Sequence, residues 1–112
     1  MATEAPTPKG RVRYRWSCQI LYERYTGFID LQRQKDNVAK GKGWTRARYW
    51  VATAGHVNDF FLEREYEGLA ELAGELQARE EDYDFMRLMR ASYPLVVQGS
   101  IRVELFEELP MQ

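Results

Sequence analysis

The chain is expected to fold as an α+β domain, one antiparallel sheet of four strands with helices on one of its faces. Three observations lead there. Apolar and polar residues alternate over 12–20 and again over 59–66, the period of a half-buried strand. Helical apolar spacing recurs between such stretches, most clearly at Leu69, Leu72, Ala73 and Leu76. Breaks at Gly41-Lys42-Gly43, Gly55 and Pro94 divide the whole into a β-α-β-β-α-β order.

The first strand spans 12–20. Val12, Tyr14, Trp16, Cys18 and Ile20 share one face, and Arg11, Arg13, Arg15, Ser17 and Gln19 share the other. A helix is expected over 22–40. Tyr25, Phe28, Ile29 and Gln32 form its inner stripe, and the polar run Gln32 to Asn37 suits a solvated face. The glycines at 41 and 43 stop it, because glycine takes the left-handed conformation without penalty. A second strand covers 44–54, with Ala47, Tyr49 and Val51 opposing Arg46, Arg48 and Trp50. The turn 54–58 leads into a third strand, where Phe60, Leu62 and Tyr66 oppose Phe61, Glu63 and Glu65. Arg64 is the one misfit in this alternation.

A second helix is expected over 67–79. Asp82 then caps a short third helix over 83–92, with Phe85, Leu88 and Met89 facing inward. Pro94 ends it. A fourth strand over 96–106 sets Ile101, Val103 and Leu105 against Arg102, Glu104 and Phe106. Leu69, Leu72, Leu76, Ile101 and Val103 are all expected in the core. This is the ferredoxin-like, split βαβ arrangement, with the first strand between the third and fourth.

A length of 112 residues suits one domain, read as a disordered tail over 1–10 and a folded domain over 11–109. The 16 basic and 17 acidic residues give a net charge of -1, without the basic excess of a general nucleic-acid binder. RNA-recognition domains share this element order, but here the third strand carries Glu63 and Glu65 in place of base-stacking aromatics. The single cysteine, Cys18, excludes an internal disulfide and a Cys-rich zinc site. The polar start lacks a signal-peptide core, and no apolar run has bilayer length. A cytoplasmic protein without cofactor, metal, membrane or nucleic-acid partner is the expectation.

Residues 37–109 carry a resemblance. Asn37-Val38-Ala39-Lys40-Gly41-Lys42-Gly43-Trp44 precedes an arginine-rich strand. Gly55-His56-Val57-Asn58 turns into Phe61-Leu62-Glu63-Arg64-Glu65-Tyr66-Glu67-Gly68-Leu69-Ala70, and Val96-Val97-Gln98-Gly99-Ser100 precedes the last strand. The pattern resembles the NIPSNAP-like branch of the dimeric α+β barrel proteins. That resemblance implies a homodimer whose sheets pack face to face, and an activity that is unassigned in most of the branch. The wider superfamily includes haem-degrading and quinone-forming monooxygenases and polyketide cyclases. The resemblance transfers no catalytic residue to this chain.

The candidate site is the polar sheet face. Arg13, Arg15, Arg46, Arg48 and Arg102 share it with Glu63, Glu65 and Glu104, beside Trp50, Phe61 and Phe106. One reading is a set of cross-strand ion pairs on an open or dimerised sheet. The other is a site for a small aromatic or anionic ligand, because arginines outnumber glutamates and guanidinium binds carboxylate or phosphate through paired hydrogen bonds. His56 reads as an exposed turn residue and Cys18 as a buried inert thiol. Tyr14, Trp16, Tyr49, Phe60 and Tyr66 read as core, or as the lining of an apolar cavity between helices and sheet. Two functions stay open: a homodimeric small-molecule-binding or interaction protein, and a cofactor-free monooxygenase or polyketide-type cyclase for an aromatic, anionic substrate.

Overall fold

A computed structural model describes residues 11–111. The tail expected over 1–10 lies outside the described residues. Strand β1 (Val12–Gln19) is central. It pairs antiparallel with β3 (Asp59–Tyr66) on one side and β4 (Arg102–Glu107) on the other, and β2 (Arg48–Val51) flanks β3. The order β2-β3-β1-β4 is the expected one. Helices α1 (Tyr25–Lys42), α2 (Leu69–Glu81) and α3 (Tyr83–Ser92) cover one face. None of the described helices is long and apolar enough to cross a membrane.

The core forms where the helix-side residues of β1 and β3 meet α1. Phe28 is fully buried, its ring 4.9 Å from Phe60 edge-on and 6.5 Å from a stacked Trp16. Edge-to-face and offset-stacked pairs are the favourable aromatic geometries. Asp82 caps α3 as expected, its side chain accepting from the Phe85 backbone N–H at 2.8 Å.

Several elements depart from the sequence reading. Helix α1 starts at Tyr25, not residue 22, because Glu23 holds a left-handed φ of 76° that no α-helix contains. It runs through Gly41 and ends at Gly43, whose φ of 71° is the left-handed cap. The run Gln32 to Asn37 is not wholly solvated, since Gln32 and Lys35 are buried. With Phe28 and Ala39 they complete the inner stripe of α1. The second strand is shorter than 44–54. Before Arg48 the backbone is held elsewhere, as the Thr45 N–H donates to Glu75. The fourth strand begins at Arg102, because Val96 makes only an isolated bridge to Ile20 and Gly99 turns the chain at φ 82°.

The expected core is also trimmed. Leu72 is buried, but Leu69 is 56% exposed. Ile101, just before β4, and Val103 and Leu105 within it are exposed, although the two strand residues lie on the predicted face. Val103 lies opposite Trp16 and Leu105 opposite Tyr14, on the helix side. The reason is coverage. The helices pack over β1 and β3, α1 through Phe28 and α2 along both strands, and none packs on the edge strand β4, which is left bare on this side.

Candidate functional site

The polar sheet face is assembled largely as the alternation predicts. Arg13 pairs with Glu65 at 2.9 Å, and the Arg15 Nε donates to Glu63 at 2.7 Å. The Arg15 guanidinium also lies between the rings of Phe106 and Phe61, 4.8 Å and 5.9 Å from their centroids. Arg48 lies opposite Glu63, and Arg102 opposite Ser17. Among the described residues neither forms an ion pair. Trp50 is half exposed beside Arg48 on β2, across the sheet from Arg102. Arg46 goes elsewhere. It precedes β2 and grips Asp36 of α1 with two hydrogen bonds, at 3.1 Å and 2.6 Å. No helix covers this face, and its depressions are lined mainly by charged side chains. His56 is exposed in its turn. Cys18 is buried, and burial pushes its thiol up to about 12, so it is no nucleophile near neutral pH.

A second site, lined by more apolar side chains, lies on the other face. Between the sheet and the helices is a cavity of about 290 Å³. Tyr14 and Trp16 of β1 and Leu62 and Arg64 of β3 form its floor, while Phe85, Met86 and Met89 of α3 lie across from them. Tyr49 of β2 borders it, and the exposed Tyr93 and Val103, the latter on the uncovered β4, mark its rim. The aromatic lining read from Tyr14, Trp16 and Tyr49 is therefore present. Tyr66 sits one layer out, and Phe60 is core.

Three cations face this cavity, and sequence reasoning missed all of them as site residues. Arg64 stacks on Tyr14 with its guanidinium carbon 4.5 Å from the ring centroid. Arg79 of α2 lies over Trp44 and Phe85, at 4.9 Å and 5.2 Å. Lys35 of α1 lies over Trp16 and Phe85, at 5.5 Å and 5.6 Å. All three are buried. The signal was present in the sequence: Lys35 follows Phe28 and Gln32 at helical spacing, Arg79 follows Leu72 and Leu76, and Arg64 interrupts the apolar face of β3.

One partly buried carboxylate, Glu75, opposes Arg64 and Arg79. Burial raises its affinity for a proton, but the hydrogen bonds it accepts outweigh this and hold it below the usual carboxylate range. It accepts from Arg79 Nη2 at 2.8 Å, the Tyr66 hydroxyl at 2.9 Å, and the backbone N–H and hydroxyl of Thr45 at 3.1 Å and 2.8 Å. Its capacity is thus nearly spent on groups other than Arg64. The Arg64 Nη1 stands 3.7 Å from Glu75, close enough for charge attraction but too far for a hydrogen bond. Arg64 Nε and Nη1 and Arg79 Nε have no acceptor. Burial and the charge of Arg79 both push Arg64 down, yet a guanidinium stays protonated at any ordinary pH. Asp36, at the cavity edge, is already occupied by Arg46 and the Tyr49 hydroxyl. Glu80 lies at the edge too and is exposed. The cavity therefore offers a surplus of positive charge and free N–H donors inside an aromatic wall. Among the described residues, no cluster of His, Cys, Asp and Glu could hold a metal.

No family model matches the chain, and no curated protein sequence does. Solved structures match in fold. A NIPSNAP family protein of unknown function from Agrobacterium tumefaciens superposes with a TM-score of 0.74 at 8% identity, over 94% of this chain and 93% of that one. An uncharacterised NIPSNAP-like domain protein from Burkholderia xenovorans gives 0.71 at 16% identity, over 92% and 87%. An antibiotic biosynthesis monooxygenase gives 0.70 at 15% identity, over 88% and 99%. The architecture is thus the ferredoxin-like one shared by NIPSNAP proteins and monooxygenases of this kind.

Proposed function

We propose that the protein binds a small aromatic anion in the cavity between sheet and helices. The observation that carries this is Arg64, a buried guanidinium with two nitrogens lacking any acceptor. Leaving buried donors unsatisfied costs free energy, more for charged groups than for neutral ones. A carboxylate entering beside Arg64 and Arg79 would satisfy those donors, and Tyr14, Trp16 and Phe85 would pack the ring. Calorimetry with benzoate and its neutral isostere benzamide tests the proposal. Benzoate should bind, and benzamide should bind at least about tenfold more weakly, the equivalent of 1.4 kcal/mol. Equal affinity for the two, or none for either, refutes it.

The proposed assembly is a homodimer formed through the open sheet face. Trp50 and Phe106 are 51% and 41% exposed there, among arginines and glutamates of mixed sign. Sedimentation should show a dimer at micromolar concentration, shifted toward monomer by Trp50→Glu. A wild-type protein that sediments only as monomer rules the assembly out.

A second reading is a cofactor-free monooxygenase or polyketide-type cyclase acting on an aromatic, anionic substrate. Support comes from the aromatic cavity wall and from the fold shared with an antibiotic biosynthesis monooxygenase. Oxygen uptake or ring closure with an aromatic polyketide acid would support it, and inertness toward ligands that bind would count against it.

A further inference from the structure

We propose that Lys35 is a carbonyl-reactive amine, placed to form an imine with an aromatic aldehyde or ketone whose carboxylate is held by Arg64 and Arg79. The inference rests on the anion-binding reading of the cavity and adds a chemical step to it. Lys35 Nζ is buried in the cavity wall, and its one hydrogen-bond acceptor is the Met89 sulfur at 3.3 Å. A thioether is a weak acceptor. None of the ion pairs among the described residues involves Lys35. The groups around it come from every neighbouring element: Trp16 and Cys18 from β1, Arg64 from β3, Arg79 from α2, and Phe85 and Met89 from α3. Two of these are cations, and the one acid among them is a neutral thiol.

Such surroundings disfavour the ammonium form. Burial, then the charges of Arg64 and Arg79, push the amine down to about 8. About a tenth of it is then uncharged at pH 7, roughly three hundredfold more than for a free lysine. An uncharged amine in a desolvated pocket is the form that attacks a carbonyl.

The step balances without any redox partner. The Nζ lone pair forms a bond to the carbonyl carbon, the carbonyl π bond breaks, and a proton moves from nitrogen to oxygen. The carbinolamine then loses its oxygen as water, which carries off both of the protons that the neutral amine held on nitrogen, and a C=N bond remains. Trp16 and Phe85 flank the amine, and Arg64 and Arg79 supply the charge that would orient a carboxylate-bearing ring.

The test uses 4-formylbenzoate with sodium cyanoborohydride on the wild-type protein at pH 7, followed by peptide mass mapping. The reagent's hydride fixes any imine as a stable secondary amine. Lys35 should be labelled about tenfold more than the exposed Lys40 and Lys42. Excess benzoate should suppress the Lys35 adduct and leave the surface labelling unchanged. Lys35→Arg keeps the charge, cannot form an imine, and should lose this adduct alone. Labelling of Lys40 and Lys42 at or above the level of Lys35 overturns the proposal. If benzoate binds wild type by calorimetry but Lys35 stays unlabelled, the imine chemistry falls and the anion site stands. If benzoate does not bind, the reading of the cavity itself falls.

Discussion

Replacing Lys35 with methionine should stabilise the protein at neutral pH, which is unusual for a residue only 4% exposed. The unfolded amine titrates at its ordinary value of 10.5, and the folded one at about 8. Folding therefore favours the neutral form. Below pH 8 both states carry the proton, and the folded state bears the full cost of a buried ammonium. At 1.36 kcal/mol per pKa unit that cost is on the order of 3 kcal/mol. Between pH 8 and 10.5 the unfolded state binds more protons than the folded state, so stability rises with pH in this window. Contacts of the ammonium with Trp16 and Phe85 return about 0.5–2 kcal/mol, which the substitution gives up. Methionine is unbranched and similar in length, and it can fill the same space. Lys35→Met should therefore gain about 1–3 kcal/mol in urea denaturation at pH 7, and most of that gain should vanish by pH 10. Cys18 works in the opposite direction. Its thiol titrates at 9.0 unfolded and about 12 folded, so it lowers stability as pH rises above 9. Comparing wild type and variant at each pH cancels that contribution. A variant less stable than wild type at pH 7, or a difference that does not change with pH, refutes the reasoning.

Other perturbations follow from the same contacts. Glu75→Gln leaves the buried Arg64 and Arg79 without their counter-charge and should cost about 3–5 kcal/mol in urea denaturation; a loss under about 1 kcal/mol would mean that the network is not coupled to folding. Leu72→Ala, at the one well-buried leucine of α2, should cost about 2–5 kcal/mol, and a negligible change would show that the helix stripe is misread. On the polar sheet face, phosphate should raise the melting temperature of wild type, and Arg15→Ala with Arg48→Ala should remove that gain. Equal thermal shifts in the two proteins would mean that these arginines serve as ion-pair partners and do not hold an anion.

Local periodicity made the sheet legible. In β1 and β3 the alternation assigns every side chain to the face it occupies. The cross-strand pairs Arg13–Glu65 and Arg15–Glu63 follow once β1 is placed beside β3. Coverage was not legible, because it depends on where helices lie. Val103 and Leu105 face the helix side in correct register, yet nothing packs over the edge strand that carries them. The cavity was legible only in its aromatics. Its cations occupy positions that period alone would assign to apolar residues: Lys35 on the stripe of α1, Arg79 on that of α2, and Arg64 on the inner face of β3. Read for polarity, they look like breaks in a pattern. Read for position, they are charges placed in the interior. Glu75 is held beside Arg64 and Arg79 by hydrogen bonds from Tyr66, at the end of the preceding strand, and from Thr45, farther back in the sequence.

The central claim is that this cavity takes an aromatic anion, and anomalous diffraction from a crystal grown with 4-bromobenzoate tests it most directly. The bromine peak should lie between the sheet and the helices near Trp16 and Phe85, with the carboxylate within hydrogen-bond distance of Arg64 or Arg79. A bromine peak confined to the open sheet face, beside Arg48 or Arg102, or a cavity still empty of ligand at saturating concentration, would contradict it.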